Sequence, residues 1–184
     1  LASLDQSLKR MQLDYVDIFY SHRFDPLTPL EETADALAQS VYQGKALYVG
    51  ISSYSSKQTI RMNKLLKERG VRCLIHQPSY SMINRWIEKD LIKTLKKLEI
   101  GCIAFSPLAQ GMLSQKYLRV IPKQSRAAEN SSLDKNKITK SYIEKIKGLS
   151  KIAKKRGQTI SQLALAWVLR DKVITSALIG SRTV

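Results

Sequence analysis

Cysteine and histidine each occur only twice in these 184 residues, tryptophan twice and phenylalanine three times. Cys73 and Cys102 lack the paired close spacing of a thiolate metal site, and two cysteines build no disulfide framework. Both sit in apolar runs and read as small hydrophobes in a reducing compartment, and no metal site is expected. No apolar run approaches the roughly 18 residues of a membrane span, and nothing has the order of a signal peptide. A soluble, cytoplasmic protein with no membrane partner is the expectation. Acidic residues are scarce, 15 against 31 basic, for a formal charge of +16. That balance invites a nucleic-acid reading. The lysines, however, spread over helix faces such as Lys93-Lys96-Lys97 and Lys151-Lys154-Lys155, with no aromatic-interleaved stripe beside them. A solvated basic surface is expected, and no nucleic-acid partner.

What is present is a recurrent event. Tyr15-Val16-Asp17-Ile18-Phe19-Tyr20-Ser21 breaks on His22-Arg23, Ala46-Leu47-Tyr48-Val49-Gly50-Ile51 on Ser52-Ser53, Cys73-Leu74-Ile75-His76 on Gln77-Pro78, and Ile100-Gly101-Cys102-Ile103-Ala104-Phe105 on Ser106-Pro107. Each reads as a buried strand ending in a polar loop. The ends at 22, 53, 77 and 106 are one strand-plus-helix unit apart. Between them lie helical segments with start and stop signals. Leu4, Leu8 and Met11 share one face of an opening helix. Thr28 is expected to cap a helix with Pro29 in its first turn, ending near Gly44. Ser55 or Ser56 caps the next, which runs to Arg69-Gly70, and Trp86 to Leu98 reads as a third. A long basic loop follows from Gly111 to about Ser132, of the kind usually functional or disordered. A helix from about Thr139 to Arg156, another capped by Thr159 or Ser161, and a last strand from Lys172 to Ile179 complete a single domain over residues 1–184.

Alternating strands and helices predict parallel pairing, but an open doubly wound sheet and a closed barrel share this string. Several motifs in order separate them: Asp14 to Arg23, Val49-Gly50-Ile51-Ser52, His76-Gln77-Pro78-Ser79-Tyr80, Ala104 to Gly111, Ala164 to Leu169, and Ile179-Gly180-Ser181-Arg182. Together these resemble the aldo-keto reductases across essentially the whole chain. Within that superfamily, Leu1 to Met11 and the uninterrupted Gly44 to Ser55 resemble the bacterial L-glyceraldehyde 3-phosphate reductase branch, relatives of the potassium-channel β-subunits. The implied fold is α/β, a (β/α)8 TIM barrel. At 184 residues the chain is shorter than the roughly 200 or more of a complete one. An incomplete barrel holding about the last five β/α units is therefore expected.

The resemblance implies hydride transfer from NADPH to a small aldehyde or ketone of the glyceraldehyde 3-phosphate or methylglyoxal class. His22 matches the family histidine that orients the carbonyl and assists proton transfer. Ser52, Ser53 and Gln77 match positions holding the nicotinamide carboxamide, with Ser53 standing where asparagine is common, and His76 is expected to be structural. Phe105 matches the aromatic residue stacked on the nicotinamide. Ser106, Pro107, Leu108, Gln110 and Gly111 match the turn along the pyrophosphate, and Lys116 and Arg126 the cations that clasp it. Gly180, Ser181 and Arg182 match the start of the adenosine 2′-phosphate site, where a basic side chain favours NADPH over NADH.

The family's aspartate, tyrosine acid and lysine precede the histidine strand and have no counterpart here, so the chain alone is expected not to turn over methylglyoxal. Tyr20 lies on the face of His22 but deeper, and is expected to fill an interior layer. Arg23 and Asp25 are expected to form a local ion pair. A cofactor-sensing regulatory subunit and an inactive gene fragment are the alternatives, and self-association is left open.

Overall fold

The computed structural model describes residues 1–118, 120–123, 125, 127–129 and 133–180. Two compact units divide the chain: Leu1–Pro78 with Ile87–Ile103, and Ser79–Trp86 with Ala104–Val184.

In the first unit, α1 (Ala2–Met11) buries Leu4 and Leu8, while Met11 stays exposed. β1 (Val16–Ser21), β2 (Ala46–Ser52), β3 (Cys73–Gln77) and β4 (Gly101–Phe105, whose last two residues belong to the second unit) lie side by side in chain order. The pairs β1–β2, β2–β3 and β3–β4 are all parallel. The helices α2 (Leu30–Tyr42), α3 (Ser56–Glu68) and α4 (Leu91–Leu98) connect them. This is the right arrangement for successive β/α units, because parallel neighbours need a crossover and a helix supplies it.

Gly50 sets the spacing of this sheet. A Cβ there would lie 2.6 Å from the Tyr20 ring and 2.8 Å from Ile75, and the register between β2 and β3 shifts at Val49/Gly50. Tyr20 thus fills the layer above a strand that has no side chain at the crossing, as expected. The expected burial of β1 is not met: Asp17 is exposed and its other residues are half-covered. Among the described residues β1 pairs only with β2, so its other edge is unpaired.

Helix starts separate good readings from poor ones. Ser55 caps α3 in a full capping box with Gln58. Thr28 does not cap α2; Pro29 is the N-cap residue, without a side-chain bond. The Thr28 hydroxyl donates instead to Asp25 at 2.7 Å, and Asp25 also accepts the Leu27 N–H at 3.0 Å. Asp25 closes this turn instead of the expected pair with Arg23. Its carboxyl is held below the usual range by the Leu27 N–H first and the Thr28 hydroxyl second. The expected helix over Trp86–Leu98 is a short 3₁₀ turn, Trp86–Glu88, followed by α4 after a break.

In the second unit, α5 (Lys140–Lys155) and α6 (Ile160–Val168) start at Thr139 and Thr159, the latter in a capping box with Gln162. β5 (Ile174–Leu178) follows. The segment read as a long loop is a packed part of this unit: Met112, Leu113, Tyr117, Ala127 and Leu133 are buried against Tyr142, Ile146, Ile160 and Ala164. The Tyr142 hydroxyl donates to the Met112 carbonyl.

Candidate active site

In the first unit the candidate residues gather at the C-terminal ends of β1, β2 and β3. His22 directly follows β1 and is exposed. The Ser52 hydroxyl donates to the Gln77 carbonyl at 2.7 Å, and the Ser53 N–H donates to the same oxygen at 3.3 Å. One carbonyl thereby ties two strand ends together and leaves the lone pairs of the Ser52 hydroxyl available as acceptors. Ser53 has φ 59. That left-handed conformation favours asparagine among non-glycine residues, and serine lacks that preference. The Tyr20 hydroxyl hydrogen-bonds the Gln77 side chain, which offsets part of the upward push that burial gives its acidity.

Behind this rim, Tyr54 is fully buried, pairs its hydroxyl with Ser21 at 2.8 Å and meets the Phe24 ring edge-on at 5.8 Å. His76 Nε2 lies 3.1 Å from the Tyr54 carbonyl. Burial depresses the His76 pKa to about 4, so the ring is neutral and structural, as expected. Cys73, whose thiol burial pushes up to about 12, is inert.

The second unit holds a cleft of about 420 Å³. Phe105, Ser106 and Gln110 line it, so three of the candidate cofactor residues come together there. Ser79, Ser81, Asn84 and Lys137 join them. Ser79 bridges Phe105 in parallel fashion, and the Tyr80 N–H donates to the Phe105 carbonyl at 3.1 Å. Ser81 and Asn84 close a tight turn, and the Asn84 amide donates to the Ser79 hydroxyl at 3.0 Å. Lys137 arrives from a 3₁₀ turn, Lys135–Lys137, capped by Asp134. No spacing in the sequence marks these four, because separate loops bring them to the cleft.

The backbone there is unusual. Ser106, Ala109 and Gln110 have φ of 54, 47 and 60, and Gly111 has 93. Non-glycine residues in this region are strained, and such strain clusters at ligand-binding sites. Pro107 is buried, and Leu108 is turned toward the core of its unit. Lys116 lies 5.8 Å over the Tyr117 ring and does not line the cleft. Gly180 is exposed just beyond β5. Arg126, Ser181 and Arg182 lie outside the described residues.

Among the described residues that line the cleft there is no acidic side chain; Lys137 brings an ammonium, Ser79, Ser81, Ser106, Asn84 and Gln110 bring hydroxyls and amides, and Phe105 brings an aromatic ring. Such a set accepts a ligand with an aromatic ring and anionic oxygens. Among the described residues no group of His, Cys, Asp and Glu could hold a metal, and no helix is long and apolar enough to cross a membrane.

The aldo/keto reductase family model matches residues 1–184, and the chain belongs to that family. Its parallel strands and connecting helices are those of the family's barrel, in part. More particularly, it is 53% identical over 186 residues to the L-glyceraldehyde 3-phosphate reductase of Escherichia coli, a match covering 98% of this chain and 54% of that protein. A Schizosaccharomyces pombe protein named provisionally as a voltage-gated potassium channel subunit beta is 35% identical over 187 residues, with the same coverage. A solved glycerol dehydrogenase from Gluconobacter oxydans superposes with a TM-score of 0.83 at 26% identity, over 99% of this chain and 54% of that one. The chain spans about half the length of the relatives it matches.

Proposed function

We propose that this chain binds NADPH and serves NADPH-dependent reduction of a small aldehyde or ketone, of the glyceraldehyde 3-phosphate or methylglyoxal class. The bound cofactor would supply the hydride. The observation that carries the reading is the cleft of the second unit, where Phe105, the hydroxyls and amides of Ser79, Ser81, Asn84, Ser106 and Gln110, and the Lys137 ammonium come together. Phe105 offers a π-surface to a nicotinamide ring. Ser106, Gln110 and Lys137 offer donors to phosphate oxygens, where charge-assisted bonds are the stronger ones. Taken by itself, the first unit offers at one rim the Ser52 hydroxyl, the Gln77 amide and the His22 imidazole as hydrogen-bonding groups.

The test is quenching of protein fluorescence by NADPH. Saturable binding is expected, weakened about tenfold or more by Phe105→Ala and by Lys137→Gln. Binding unchanged in both variants would sink the assignment of the cleft. A cofactor-sensing regulatory subunit is the second reading, since one relative is named as a channel subunit; the 53% against 35% identity favours the reductase.

A further inference from the structure

The parallel ladder of β1 stops at Ser21, opposite Ile51, so the sheet itself does not hold His22, the next residue. A buried tyrosine holds the residues on either side of it. Ser21 pairs its hydroxyl with the Tyr54 hydroxyl at 2.8 Å, and Phe24, two residues past His22, meets the Tyr54 ring edge-on at 5.8 Å. The Ser21 hydroxyl also donates to the Arg23 carbonyl, a longer bond of 3.4 Å that reaches across His22. A serine hydroxyl carries one proton. With that proton directed at the Arg23 carbonyl, the Tyr54 phenol is the donor in the 2.8 Å pair.

Tyr54 is anchored in its turn. Its side chain is fully buried, in a first unit whose interior leaves a ring little room to move. The Ser53 N–H before it donates to the Gln77 carbonyl, and Ser55 after it opens α3 in a capping box. The Tyr54 carbonyl lies 3.1 Å from His76 Nε2. A carbonyl only accepts, so Nε2 carries the ring proton and donates. His22 and Arg23, by contrast, are exposed.

We infer that Tyr54 is the positioning residue for His22: its phenol fixes residue 21, its ring fixes residue 24, and the backbone between them presents the His22 imidazole at the C-terminal end of β1. This rests on the reading that His22 meets a carbonyl oxygen. Ordering the backbone in advance spares that cost when a ligand arrives. A displacement of about 1 Å caused from outside the reacting groups costs on the order of a hundredfold in rate.

The experiment is ¹⁵N relaxation on the uniformly labelled chain without ligand, with His22→Gln assigning the imidazole signals of the two histidines. In the unsubstituted chain the His22 amide should show an order parameter of about 0.85, as in a rigid strand. Tyr54→Phe keeps the ring against Phe24 and removes only the phenol. The His22 order parameter should then fall below about 0.6 and its imidazole signals should shift, while Val49 on β2 keeps the rigid value. Ser21→Ala should give the same loss, and the double variant no more than either alone. A mobile His22 in the unsubstituted chain, an unchanged His22 in Tyr54→Phe, or an equal loosening at Val49 would each overturn the inference. Fluorescence quenching by NADPH on the same samples keeps the two readings apart: no quenching with this pattern intact fails the cofactor reading and leaves the positioning role standing.

Discussion

His76 is fully buried on β3, bonded through Nε2, and among the described residues its Nδ1 has no partner. The folded imidazole takes up a proton only near pH 4, an unfolded one near 6.5. Between these values the unfolded chain binds the extra proton, so stability is fully present above pH 6.5 and is lost as the pH falls toward 4. The loss from this one group is about 3 kcal/mol. Melting temperatures measured from pH 7 to pH 4.5 should therefore fall, and the slope should be shallower in His76→Gln. An equal slope in both proteins would assign the acid sensitivity to other groups. Gln77, the next residue, shows how adjacent strand positions diverge: its side chain faces Tyr20 and the polar rim, while His76 is turned into the packed side.

Strands and helices set the next scale, where two substitutions bracket what local chemistry controls. Ser55→Ala removes a capping box whose serine accepts the Gln58 N–H while the Gln58 side chain accepts the Ser55 N–H. Its expected cost is about 1 kcal/mol, read by denaturant unfolding. Gly50→Val drives side-chain atoms into Tyr20 and Ile75 across three strands. Loss of cooperative unfolding is expected, and a melt within a few degrees of wild type would refute the close approach.

The starts of α3 and α6 were legible to within a residue or two, as Ser55 or Ser56 and Thr159 or Ser161, because a hydroxyl side chain precedes each helical run; the capping boxes with Gln58 and Gln162 were not read. The strand ends were legible because apolar runs stop on polar residues. Thr28 misled because Asp25, three residues upstream, competes for the same hydroxyl, and local spacing does not rank the two. Burial of β1 misled because it depends on neighbours, not on the strand's own residues. Phe105, Ser106 and Gln110 were singled out through resemblance, and they line one cleft. Ser79, Ser81, Asn84 and Lys137 were not, because only the fold brings those loops to one cleft.

For the molecule as a whole, ligand binding and folding are linked. A ligand that binds only the native chain raises stability by RT ln(1 + [L]/Kd), about 2.7 kcal/mol at one hundred times Kd. NADPH should raise the melting temperature, and the rise should shrink as salt screens Lys137 from phosphate. No rise at saturating NADPH would count against cofactor binding by the native state. The large positive charge has little bearing on this outcome. Among the described lysines and arginines, Lys137 lines the second-unit cleft, while α1, α3, α4 and α5 carry many of the others.

The run from Ala109 to Gly111, with φ of 47, 60 and 93, winds against the hand that L-amino acids prefer. Its backbone is mirror-image territory, where a D-residue would rest without strain. A semisynthetic chain carrying D-alanine at position 109 would keep this path and lose the steric penalty of the natural enantiomer. Chirality, and not only side-chain chemistry, thus marks the stretch where the proposed cofactor contacts begin.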